Sequence, residues 1–98
     1  MTRQVDNSTF EKFQSALKDY TINWGDNWLG ADTISASTWA ITPSDLVEVS
    51  NTFDDDEATI WVSGGVVGIV YTLLNQITTA GGRIDKRPIY LRIKADDS

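Results

Sequence analysis

The sequence reads as a single all-β domain, an antiparallel β-sandwich with a short N-terminal arm or helix. Three observations predict it. From residue 19 to residue 95 apolar and polar residues alternate with period two over most of the length. Clusters of Gly, Pro, Asn, Asp and Ser interrupt that alternation at short intervals. The chain has 98 residues, which leaves room for one core. Residues 1–18 are assigned to the arm and residues 19–98 to the sandwich.

In the arm, Phe10, Phe13 and Leu17 fall at i, i+3 and i+7, one face of a short helix. Ser8 followed by Glu11 fits a capping box. The segment is either a helical stub on the domain or an arm that docks into a neighbouring subunit. From Asp19 the period changes, and Tyr20, Ile22 and Trp24 alternate with polar residues as in a half-buried strand. Residues 25–32 form a loop in which Trp28 and Leu29 are expected to fold back as a plug on the core.

A second strand is predicted over 33–41, and Thr42-Pro43-Ser44-Asp45 ends it as a turn, with Pro suited to position i+1. A third strand spans 46–53 and runs into Asp54-Asp55-Asp56-Glu57. The fourth, 58–63, sets Ala58, Ile60 and Val62 against Thr59, Trp61 and Ser63. Trp61 is expected to be buried, which requires a strand covered on both faces or a bulge. After Gly64-Gly65 the longest strand, 69–79, places Tyr71, Leu73 and Ile77 on one face and Leu74 on the other. The last strand, 83–95, turns Ile89, Leu91 and Ile93 inward and completes an antiparallel hairpin with its predecessor. Tyr71 resembles a tyrosine corner whose hydroxyl ties back to the preceding connection, and a plain core role is the alternative.

Composition removes whole classes of function. The chain has neither Cys nor His, so thiolate chemistry, the usual zinc and copper ligands and the usual general base are missing. No catalytic residue is assigned, and no enzymatic activity, cofactor or metal is expected. The acidic run at 54–57 is the one metal candidate, but consecutive acids on a turn mostly point apart, and a solvated turn is the preferred reading. Ser63-Gly64-Gly65 lacks the base and the elbow of a nucleophile motif. No apolar run is long enough to span a bilayer, and residues 1–10 hold no signal-peptide core, so a soluble protein made in the cytoplasm is expected.

The net charge of −6 argues against nucleic acid as a partner. Its distribution says more. No Lys or Arg lies between Lys18 and Arg83, whereas residues 83–94 hold Arg83, Lys86, Arg87, Arg92 and Lys94 against Asp85 alone. Such a split field orients copies of one protein, or a partner, against each other. The plainer alternative is a solvated surface with a charge-protected edge strand. Four tryptophans either fill a small core or stack on sugars; Trp24 and Trp61 are read as core, and Trp28 as an interface residue.

Taken together, the motifs resemble a known family. The series Asp19-Tyr20-Thr21-Ile22-Asn23-Trp24, Trp28-Leu29, Asp32-Thr33-Ile34 and Ser37-Thr38-Trp39 is similar to small virion proteins of tailed bacteriophages, commonly labelled fibre–tail adaptors. Trp61-Val62-Ser63-Gly64-Gly65, Gly68, Tyr71, Asn75-Gln76-Ile77-Thr78-Thr79 and Gly82-Arg83-Ile84-Asp85-Lys86-Arg87 continue the likeness, which covers about residues 19–93. It departs at Leu74, at Leu46-Val47 and in the arm. The resemblance implies an immunoglobulin-like sandwich and a structural role in the virion, without catalytic residues.

The expected function is an adaptor in the tail or neck that packs as a homo-oligomer or other symmetric assembly and bridges other phage virion proteins. A capsid decoration or cement protein is the alternative, and a carbohydrate-binding domain at the host surface the second. Neither nucleic acid nor a membrane is expected as partner. The expected contact residues are Phe10, Phe13, Leu17, Trp28, Leu74, Arg83, Arg87 and Arg92.

Overall fold

Seven strands account for most of the chain in a computed structural model that describes residues 9–25 and 29–96. They are β1 (Thr9–Phe13), β2 (Lys18–Asn23), β3 (Ile34–Thr42), β4 (Leu46–Phe53), β5 (Glu57–Gly64), β6 (Val70–Thr79) and β7 (Ile84–Lys94). A four-stranded sheet has the order β1-β7-β6-β3, and a three-stranded sheet the order β2-β5-β4. All pairings are antiparallel except β1 with β7.

The alternation read from the sequence decides which side chains meet between the sheets. In β6, Tyr71, Leu73, Asn75, Ile77 and Thr79 point inward, and in β7 Ile89, Leu91 and Ile93 do. From the other sheet come Tyr20 and Ile22 of β2, Ala58, Ile60 and Val62 of β5, and Leu46 of β4. Trp24, fully buried, and Leu29 close one end of this core. Leu29 thus plugs the core as expected; Trp28 lies outside the described residues. Among the described residues no helix is long and apolar enough to cross a membrane.

The helix expected over Phe10, Phe13 and Leu17 is not there. Residues 9–13 form β1, parallel to β7, from Thr9 opposite Tyr90 to Phe13 opposite Lys94. A helix of about ten residues is marginal alone. The open edge of β7, by contrast, offers a row of unpaired backbone groups that a strand satisfies at once. Phe10 and Lys12 then face inward, opposite Leu91 and Ile93, and Glu11 and Phe13 face outward.

Trp61 also departs from expectation. It is 38% exposed, while its neighbours Ile60 and Val62 are fully buried. Period two does not bend for one large side chain: with Ile60 inside, Trp61 must face out. The register shift in this sheet falls on β4, between Glu48 and Ser50, and leaves the β5 alternation intact. The Thr42–Pro43 peptide at the end of β3 is cis.

Tyr71 behaves as its position suggests. Its buried hydroxyl accepts a hydrogen bond from the Val66 amide (2.8 Å) and so holds the β5–β6 connection against the start of β6. Burial pushes its pKa up, and the neighbouring Asp45 carboxylate adds to that. In the same connection Gly65 has a positive φ, and a Cβ there would lie 2.7 Å from an Ile93 side-chain carbon. Glycine is required on both counts.

Candidate interaction surfaces

The contact residues expected from sequence do not form one patch. At the β1 edge, the Phe10 ring packs on Tyr20 with centroids 5.3 Å apart and remains partly exposed. Phe13 lies under the Lys94 ammonium, 5.5 Å from the ring centroid, and Lys94 also pairs with Glu11 at 3.3 Å. Leu17, in the β1–β2 connection, is 53% exposed. These three apolar residues line one margin of the sandwich. Leu74 lies elsewhere, half-buried at mid-sheet on the outward face, between Ala40 of β3 and Pro88 of β7.

The arginines part company as well. Arg83 Nε is 3.2 Å from an Asp32 carboxylate oxygen, and its Nη2 donates to the Leu29 carbonyl (2.9 Å). It thereby holds the Leu29–Asp32 loop against the β6–β7 turn. The Thr79 hydroxyl, then the Thr33 and Gly81 amides and Arg83, keep the Asp32 carboxyl below its ordinary pKa against a smaller opposing effect of burial. Arg87 lies on the inward side of β7, opposite Asn75, with its guanidinium 4.4 Å from the centroid of the Trp24 ring. Arg92 is on the outward side of β7 and exposed, opposite Val70 and beside Glu11.

Below Arg87 lies a polar network that the alternation did not reveal. Trp24 Nε1 donates to Asn75 Oδ1 (2.8 Å), and Asn75 Nδ2 donates to Ser37 Oγ and to the Thr38 carbonyl (both 2.9 Å). One amide thus links the end of β2 to β6 and β3. Lys12 is a second unforeseen buried group. It is 2% exposed, and its ammonium donates to the carbonyls of Phe13 (2.9 Å), Gln14 (3.1 Å) and Gly64 (2.9 Å). The last bond crosses from β1 to the end of β5. Burial lowers the Lys12 pKa, and Asp96 opposes that.

The acidic run is an exposed turn held by its own backbone amides. Asp54, Asp56 and Glu57 bring carboxylate oxygens within 4.8 Å of one another, where acids pointing apart had been expected. Asp54 Oδ1 is already occupied: it accepts from the amides of Asp56 (3.1 Å) and Glu57 (2.9 Å). These donors hold the Asp54 carboxyl below its ordinary pKa, whereas desolvation and then the Asp54 carboxylate raise that of Asp56. The backbone of the run does further work. The Asp56 carbonyl accepts from Trp24 and Gly25 (2.8 and 3.2 Å), and the Asp55 carbonyl from Ile34 (2.8 Å). The hairpin tip therefore ties the end of β2 to the start of β3.

Exposed apolar surface also lies on the outward face of the three-stranded sheet. Trp61 faces outward from β5, opposite Asp19 of β2 and Ser50 of β4. Val47, 54% exposed, shares that outward face, and Val49 adjoins it at the bulge. The signal was present in the sequence: Ala58, Ile60 and Val62 already made a complete inward row, which left Trp61 no inward place.

No curated protein matches the chain. A family model described as podophage GP4 fiber-tail adaptor protein gp77 matches residues 12–92, from the buried lysine of β1 to the outward arginine of β7. That span takes in both sheets, the Trp24–Asn75 network and the acidic hairpin. It agrees with the likeness carried by the tryptophan, glycine and Asn75–Thr79 motifs, and the chain belongs to the podophage GP4 fibre–tail adaptor family.

Proposed function

We propose that this chain is a non-enzymatic adaptor of the phage tail or neck that packs as a symmetric multimer and bridges two unlike virion proteins. The family match over residues 12–92 carries the reading, because it takes in β2 to β6 whole and most of β7 rather than a fragment of the sandwich. Exposed apolar groups at the β1 margin and on both outward sheet faces support it, since such groups mark contact surfaces when they cluster. Phe10, Phe13, Leu17, Leu74 and Arg92 are the contact residues in this reading. Arg83 and Arg87 position the surface through their own chain.

The sandwich itself is read as immunoglobulin-like. Labelling β2 to β7 as B, C, D, E, F and G gives sheets B-E-D and C-F-G, with β1 beside G, and Tyr71 near the start of F carries the hydroxyl-to-backbone bond of a tyrosine corner. Residues 1–18 are read as an arm on this unit.

Quantitative mass spectrometry of purified particles tests the proposal. The expected result is a copy number that matches a tail or neck ring. Hundreds of copies per particle would reassign the chain to capsid decoration, and its absence from the particle would overturn the virion role. Binding to a glycan array that depends on an exposed tryptophan would favour sugar recognition instead.

A further inference from the structure

The two outward faces of the sandwich carry opposite charge. On the four-stranded sheet the outward positions include Lys86, Arg92 and Lys94, with Glu11 as the acid among them, already paired to Lys94. On the three-stranded sheet the outward positions hold Asp19 and Glu57 and no Lys or Arg, and the Asp54–Asp56 tip adjoins them. Each face also has an apolar centre: Leu74 beside Pro88 on the first, Trp61 with Val47 on the second.

We propose that copies of this chain stack head to tail, with the basic face of one copy on the acidic face of the next. The proposal rests on the multimeric reading above and specifies its surfaces. Charge decides among the possible pairings. Two basic faces together would oppose Lys86 and Arg92 to themselves, and two acidic faces would do the same with Asp19 and Glu57. Only the unlike faces bring opposite charges together, and complementary potentials of this kind set register and association rate. The contact is heterologous, so it extends from copy to copy and closes into a ring where the rotation permits.

A zero-length carbodiimide cross-link tests the geometry on the purified full chain and on purified particles. Packed sheets lie about 10 Å apart, and these side chains point away from each other, so a Lys86–Asp19 or Lys86–Glu57 cross-link must join two copies. Such cross-links are expected in both samples. The double variant K86E/R92E and the double variant D19K/E57K, each checked for native circular dichroism, should each self-associate at least about tenfold more weakly in sedimentation velocity. Their equimolar mixture should recover assembly, because every face again meets its opposite.

The proposal is overturned if neither sample yields the cross-link, or if the mixture assembles no better than each variant alone. Should the chain occur in particles with Lys86, Asp19 and Glu57 linked only to other virion proteins, stacking fails and the adaptor reading stands. Should the chain be absent from particles, the adaptor reading fails, and the purified chain still decides stacking.

Discussion

At Asn75 the core keeps an amide where the alternation of β6 would accept another aliphatic side chain. The amide satisfies Trp24 Nε1, Ser37 Oγ and the Thr38 carbonyl together. Asn75→Leu preserves much of the volume but leaves a buried indole N–H without its acceptor. It should cost about 2 kcal/mol, read as a lower urea midpoint at an unchanged slope. Asp32 gives a prediction in pH. Its carboxyl is held below the ordinary value of 3.8 by Thr79, the Thr33 and Gly81 amides and Arg83, so the folded state binds its proton less tightly than the unfolded chain does. The resulting stability is present above pH 3.8 and is lost as pH falls through the lower folded value. Asp32→Asn should lower the melting temperature at pH 7 and remove that part of the acid-induced loss. Neither residue was visible as a keystone in the sequence, because an Asn on an inward position and an Asp in a Gly-rich loop look the same whether their hydrogen bonds are local or reach across fifty positions.

Among the elements, β4 was legible to the residue, and β2, β3, β5, β6 and β7 to within about one position at each end, since β2, β5, β6 and β7 alternate and turn formers separate most of the strands. The strand β1 was not. Five residues with one fully buried side chain, a lysine, show no inward apolar row, and a parallel partner some eighty positions away leaves no local trace. The spacing of Phe10, Phe13 and Leu17 imitated a helix because two residues of a short strand and one of a turn happened to fall at those intervals. The buried apolar core begins only at Tyr20. Deleting residues 1–18 should therefore leave a β-type circular dichroism spectrum with a lower melting temperature, and the truncated protein should fail to complement a phage lacking this gene. An unfolded product would make β1 part of the folding unit. For the β4–β5 hairpin, Asp54 is committed to two amides, so millimolar calcium should leave the melting temperature unchanged; a rise of several degrees that Asp54→Asn abolishes would show instead a working site.

At the scale of the molecule, the division between inside and outside sorts the tryptophans. Trp24→Ala should cost about 3–5 kcal/mol, enough to unfold a small domain. Trp61→Ser, on an outward position, should change the urea-derived stability by no more than about 0.5 kcal/mol while reducing self-association. A finding that both substitutions destabilise equally would contradict the placement of Trp61. Sequence alone identified the all-β class and, through combined motifs, the phage family. It did not locate the contact surface, because Arg83, Arg87 and Arg92 look equivalent in a basic strand. Only the fold shows that one braces a loop, one covers an indole and one meets solvent.

The parallel pairing of β1 with β7 also sets how the sandwich bears tension. Thr9 starts beside Tyr90, and β7 ends at Lys94 beside Phe13. A pull applied between the N-terminal end of β1 and the C-terminal end of β7 slides the two strands past each other instead of peeling them apart. All five paired positions then resist at once, and the Lys12 ammonium, bonded to Gly64 of β5, passes part of the load to the other sheet. A load along that axis therefore meets this pairing as a bundle to be sheared and not as a zipper to be opened.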